Sequence, residues 1–170
     1  NLKLTKEQQE AFDKVSTSID YNEYEEFLLY GVTGSGKTEV YLQLIDKVIK
    51  KEKSAIVLVP EISLTPQMLD RFISRFGKEQ IAVLHSKLSI GERYDQWQKI
   101  KSGKAKIIIG ARSAIFAPVK NLGIIIIDEE HDSSYKSEMT PRYNAKEIAE
   151  VLAKKNRIPL ISGSATPDIN

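Results

Sequence analysis

Six short and almost unbroken apolar runs punctuate the chain: Phe27 to Tyr30 (FLLY), Ala55 to Val59 (AIVLV), Ile81 to His85 (IAVLH), Lys106 to Gly110 (KIIIG), Ile124 to Asp128 (IIIID) and Pro159 to Ser164 (PLISGS). A strand with one wet face alternates apolar and polar residues, whereas a continuous run needs a sheet covered on both faces. Between the runs the period changes to that of a helix. Tyr41, Leu44, Ile45, Val48 and Ile49 share one stripe, Met68, Leu69, Phe72, Ile73 and Phe76 a second, and Ala145, Ile148, Ala149, Leu152 and Ala153 a third. Strands alternating with helices predict an α/β fold with a mainly parallel central sheet and helices on both faces.

Open sheets of this kind collect ligands at the carboxyl ends of their strands, and polar clusters follow the apolar runs there. FLLY leads directly into Gly31, Val32, Thr33, Gly34, Ser35, Gly36, Lys37 and Thr38, a G-x-x-x-x-G-K-T loop that enters the first helical stripe. Glycines let successive N–H groups turn toward phosphate oxygens, and the following helix adds the positive end of its dipole. Lys37 is expected on the β and γ phosphates of a nucleotide, and Thr38 on Mg²⁺. The IIIID run, in turn, continues into Glu129, Glu130 and His131. A strand buried on both faces holds acids rigidly in one place, as a nucleoside triphosphatase requires. Asp128 is expected in the magnesium shell and Glu129 on the attacking water, with Glu130 and His131 sensing the nucleotide. The plainer readings are a glycine-rich turn and a strand that ends in a polar loop. Each motif weakens the plainer reading of the other.

At 170 residues the chain is the size of one domain with one core, and 41% hydrophobic with 28% charged residues is a globular composition. No run approaches the roughly 20 apolar residues that cross a bilayer. There is no Cys, and nothing resembles a signal peptide, so a cytoplasmic address without a membrane partner is expected. The chain begins at Asn1 and stops just after Ala165-Thr166-Pro167-Asp168, which reads as one domain, residues 1–170, of something longer. A net charge of +2 is too small to argue for nucleic acid, which needs local groups. The loop-like segment 131–144 interleaves Tyr135, Lys136, Arg142 and Tyr143, a composition suited to stacking on bases while neutralising backbone charge. His85 is expected to be a hydrogen-bonded strand-end residue. Trp97, at helical spacing from Tyr94 and Ile100, is expected in the core.

Taken together, GVTGSGKTEVYL, VPEISLTPQM, LHSKLS, IGARSAIFAPVKNLGIIIIDEEHDSSYK and SGSATP resemble, in order, the first RecA-like lobe of a superfamily two helicase. More narrowly they resemble the primosomal replication-restart helicases, from about Leu4 to the last residue. The resemblance implies a RecA-like P-loop NTPase lobe that binds ATP and Mg²⁺ and belongs to a 3′-to-5′ DNA helicase of the bacterial cytoplasm. It implies Ser164, Ala165 and Thr166 as the link between hydrolysis and strand movement, and Gln8 as the adenine-recognising residue, although Thr5 to Gln8 is also a capping-box pattern. Thr65, Gln67, Arg112 and Ser113 fall in segments resembling those that grip one DNA strand, and they are group types that bind phosphates without reading sequence. Single-stranded and forked DNA and other primosome and replication-restart proteins are the implied partners. A second lobe with an arginine finger and a zinc-binding segment are expected outside these residues. The segment departs from the family pattern at Thr140-Pro141 before Arg142 and at Asn144 after Tyr143. Two other classes stay open from the residues alone: a nucleotide-switch module, and a double-stranded DNA translocase that never separates strands.

Overall fold

Helices begin where the sequence places a side chain able to satisfy the free amides of a first turn. The computed structural model describes residues 3–31, 34–137 and 142–165. In α1 (Lys6–Tyr21), the Gln8 amide donates to Thr5 Oγ1 at 3.2 Å and the Thr5 amide donates to Gln8 Oε1 at 2.9 Å, a complete capping box. α2 (Gly34–Lys50) follows the glycine-rich loop. Thr65 caps α3 (Pro66–Phe76), whose first position is a Pro with no amide to satisfy. Ser89 and Glu92 repeat the capping box on α4 (Ile90–Lys101), and Asn144 caps α5 (Ala145–Asn156).

The six apolar runs form six strands: β1 (Glu25–Tyr30), β2 (Ser54–Leu58), β3 (Ile81–Leu84), β4 (Ile107–Gly110), β5 (Leu122–Ile127) and, last in the chain, β8 (Pro159–Ser164). They make one sheet in the order β1-β8-β5-β2-β4-β3, and every pairing in it is parallel. Alternate residues of a strand feed the two layers. Ile124 and Ile126 of β5 pack with α1, α2 and α3 through Val15, Leu44, Ile45 and Phe72, while Ile125 and Ile127 pack with α4 and α5 through Ile100, Ala149 and Ala153. All four isoleucines are fully buried, each contributing roughly 1.5–3 kcal/mol by leaving water.

Two expectations are corrected. Trp97 is not in the core: α4 buries Ile100, while Trp97 is 36% and Tyr94 61% exposed. Ile100 takes the sheet-facing position and the two aromatics fall on the solvent side. Segment 131–144 is also more than loop, because β6 (Lys136–Ser137) and β7 (Tyr143–Asn144) pair antiparallel across its middle.

Candidate functional site

Strand order distributes the polar clusters along the carboxyl edge of the sheet. β8 pairs with β1 on one side and β5 on the other, so the phosphate loop after β1 and the acids after β5 lie one strand apart. Lys37, in the first turns of α2, lies over Gly31, where a Cβ would fall 2.5 Å from its Cγ. Its Nζ donates to Asp128 Oδ1 and to Glu129 Oε1, both at 3.1 Å. Lys37 is 2% exposed, and a buried ammonium is tolerated only when paired as this one is. Glu129 has a left-handed backbone, φ 51°, which costs a non-glycine residue about 1–2 kcal/mol. The turn is closed by the Asp132 amide donating to the Glu129 carbonyl at 2.9 Å. In this conformation its carboxylate meets Lys37.

Asp128 is held from three sides. Its amide donates to the Leu58 carbonyl at 2.9 Å, and the Tyr41 hydroxyl, one turn beyond Lys37 on α2, donates to Oδ1 at 2.8 Å. The Tyr135 hydroxyl lies between the carbonyl oxygens of Asp128 and Leu58. Tyr135, expected to stack on bases, is therefore corrected: it is 2% exposed and faces inward. Its hydroxyl finds two carbonyl acceptors there, which makes burial of the ring favourable. Burial is the main cause that raises the phenols of Tyr41 and Tyr135 well above their ordinary value, with the Asp128 charge second, so both remain donors. Glu130 reaches α5 instead, accepting from Lys146 Nζ at 2.9 Å, a bond that raises the Lys146 ammonium above its usual value. His131 is exposed.

The other candidates sit farther along the same edge. β2 and β4 are paired neighbours, so Thr65 and Gln67 after β2 share the edge with Arg112 and Ser113 after β4. Gln67, Ser113, Lys136 and Arg142 are exposed, whereas the Thr65 hydroxyl is engaged as a helix cap. Arg112 is partly committed: Nη1 donates to the carbonyls of Ser134 and Lys136 at 3.0 and 3.2 Å, bracing the segment that carries Tyr135. Val32, Thr33, Thr166 and the side chain of Ser35 lie outside the described residues.

Residues 1–169 match the family described as type III restriction enzyme, res subunit. The chain belongs to that family. The chain is similar to replication restart protein PriA of Bacillus subtilis, 60% identical over 99% of this chain and 21% of that protein. It is also similar to the PriA of Haemophilus influenzae, 50% identical over 99% of this chain and 22% of that one. It thus spans about one fifth of the length of these curated relatives. Among solved structures it resembles RecG bound to a three-way DNA junction, with TM-score 0.75 and 26% identity over 98% of this chain and 21% of that one. The Pyrococcus furiosus Hef helicase domain shares the fold, with TM-score 0.66 and 20% identity over 96% of this chain and 34% of that one. The motif resemblance to replication-restart helicases and the RecA-like lobe both hold.

For a res-subunit lobe, the residues present fit a magnesium nucleotide. Mg²⁺ keeps most of its waters and needs one or two carboxylates beside substrate phosphates, not a protein cage. The described residues hold Asp128 next to Lys37 and contain no group of three or more acidic, His or Cys residues that would form such a cage. Gln8 serves its cap through Oε1, while its Nε2 lies against Gly36, 2.5 Å from where a Cβ would stand. Cap and phosphate loop therefore share this residue. Sequence alone gives Tyr41, Gly163 and Lys146 no individual site role: Tyr41 falls in a core stripe, Gly163 within an apolar run and the SGSATP segment, and nothing local marks Lys146. Among the described residues, no helix is long and apolar enough to cross a membrane.

Proposed function

We propose that this chain is the ATP-binding lobe of an ATP-dependent DNA helicase, resembling the primosomal helicases that restart stalled replication forks in the bacterial cytoplasm. The observation that carries the reading is the contact of one buried lysine, at the start of a helix that follows a glycine loop, with both acids at the end of β5. A triphosphate would compete for that ammonium and draw Lys37 to its β and γ oxygens. That exchange frees the carboxylates for their own roles. Glu129 then accepts a proton from the attacking water at Oε1, and Asp128 and Thr38 hold Mg²⁺, which when bound neutralises phosphate charge. Gly31 to Thr38 cradle the phosphates, and Gln8 contacts adenine through its side-chain amide. His131, exposed beside the acids, relays the state of the site to a second lobe.

Single-stranded or forked DNA would lie across the β2 and β4 end of the edge, on Thr65, Gln67, Arg112, Ser113, Lys136 and Arg142, with contacts to phosphates and no reading of sequence. Travel is 3′ to 5′, the partners are other primosome and replication-restart proteins, and zinc belongs to a separate segment of the full-length protein. The neighbouring reading, an ATP-driven double-stranded DNA translocase, would use the same residues. The test is Lys37→Ala in the full-length protein. It should abolish binding of a fluorescent ATP analogue and DNA-stimulated ATP turnover, and with them the unwinding of a forked substrate. Retained nucleotide binding would sink the proposal. Turnover without unwinding by the unmodified protein would favour the translocase.

A further inference from the structure

Tyr41 lies one turn beyond the G-x-x-x-x-G-K-T loop, outside its fixed positions, yet it bonds the carboxylate on which the proposed chemistry turns more closely than Lys37 does. Its hydroxyl donates to Asp128 Oδ1 at 2.8 Å, against 3.1 Å from Lys37 to the same oxygen. The ring is 3% exposed and anchored in the core among the α2 residues that pack on the sheet. β8 leaves room for this pair only because residue 163 is glycine. A Cβ there would fall 2.5 Å from Asp128 Oδ1 and closer still to the tyrosine hydroxyl. The same Gly163 accepts, through its carbonyl, from the Glu130 amide at 3.0 Å.

We infer that Tyr41 is a positioning residue for magnesium binding: its hydroxyl keeps Asp128 in one orientation while Lys37 exchanges the carboxylate for phosphate. This rests on the reading of Asp128 as a magnesium-shell residue. The physical reason is a difference in mobility. Lys37 can serve Asp128 or a phosphate but not both fully, whereas the Tyr41 hydroxyl bonds Asp128 alone among the described residues and its ring is fixed by burial. With Oδ1 of Asp128 held by Tyr41, the other oxygen would be left to bind a magnesium ion or its waters.

The experiment is a double-mutant cycle on the magnesium concentration that half-saturates ATP-analogue binding, using Tyr41→Phe, Asp128→Asn and the pair together. Phe keeps the ring and its packing, and thermal melts confirm that the variants are folded. Tyr41→Phe should raise the half-saturating Mg²⁺ on the order of 10-fold or more, the effect of losing a bond to a charged group. In the Asp128→Asn background the same change should add little. A residue that matters only for packing would give equal losses in both backgrounds, and that result overturns the inference, as does an unchanged magnesium midpoint. Lys37→Ala run alongside separates the two readings. If it spares nucleotide binding, the site assignment itself fails; if it abolishes binding while Tyr41→Phe is neutral, only the role of Tyr41 fails.

Discussion

Glu129 shows how a single residue can be chosen against its own backbone preference. Its positive φ places it where glycine or asparagine would be easier, and the turn keeps a carboxylate there, 3.1 Å from Lys37. The proposed role as a base, rather than local stability, would account for that choice. In the full-length protein Glu129→Gln should leave ATP binding within about twofold and lower turnover by roughly 10² to 10⁴, since the amide keeps the shape but cannot take a proton. Asp128→Asn should weaken binding only where Mg²⁺ is present. Matching binding curves for both variants, with and without Mg²⁺, would reverse these role assignments.

At the scale of elements, loops at neighbouring strand ends are tied to one another by side chains. Glu61, in the segment after β2, accepts from the Ser86 amide at 2.9 Å and the Ser86 hydroxyl at 2.6 Å in the segment after β3. Burial pushes the Glu61 carboxyl upward, but the two Ser86 bonds together with His85 and Lys87 hold it below its ordinary 4.5. A depressed folded value means that the tether contributes fully above about pH 4.5 and is lost as pH falls through the folded pKa. An NMR titration should therefore show the Ser86 amide resonance moving below that pH, with its midpoint raised toward 4.5 by Ser86→Ala at the Glu61 carboxyl. A Ser86 amide that ignores pH down to acid unfolding would show that the two loops are not coupled through Glu61. His85 fits its expectation at this scale, since Nδ1 accepts from the Lys87 amide at 3.1 Å at the strand end.

For the molecule as a whole, a consequence follows from one lobe carrying both acids and the phosphate loop. An arginine supplied from across a cleft contributes about 10³ to 10⁵ to phosphoryl transfer in comparable enzymes. The 170-residue chain alone should bind ATP through Lys37 yet turn it over at least about 10³ times more slowly than the full-length protein with DNA, measured by phosphate release. Equal rates would mean that this lobe is catalytically complete. Much of the architecture was legible in advance. Buried parallel strands must be continuously apolar, so all six appeared as runs, and the phosphate loop and the acid cluster stood out because their chemistry needs fixed residue types at fixed spacing. The cap of α1 was legible too, because an N-cap such as Thr5 acts within three residues of itself. What only tertiary structure decided is which distant residues share a site. Strand order set β8 between β1 and β5, and only that neighbourhood brings Tyr41, Gly163 and Asp128 together across 35 to 122 positions of sequence. The direction of an aromatic side chain was decided there too. Tyr135 and Trp97 are both flanked by polar residues, yet one ring turned inward to two carbonyl acceptors and the other outward to solvent. Periodicity reports that a face exists; the packed neighbours on each side determine which residues occupy it.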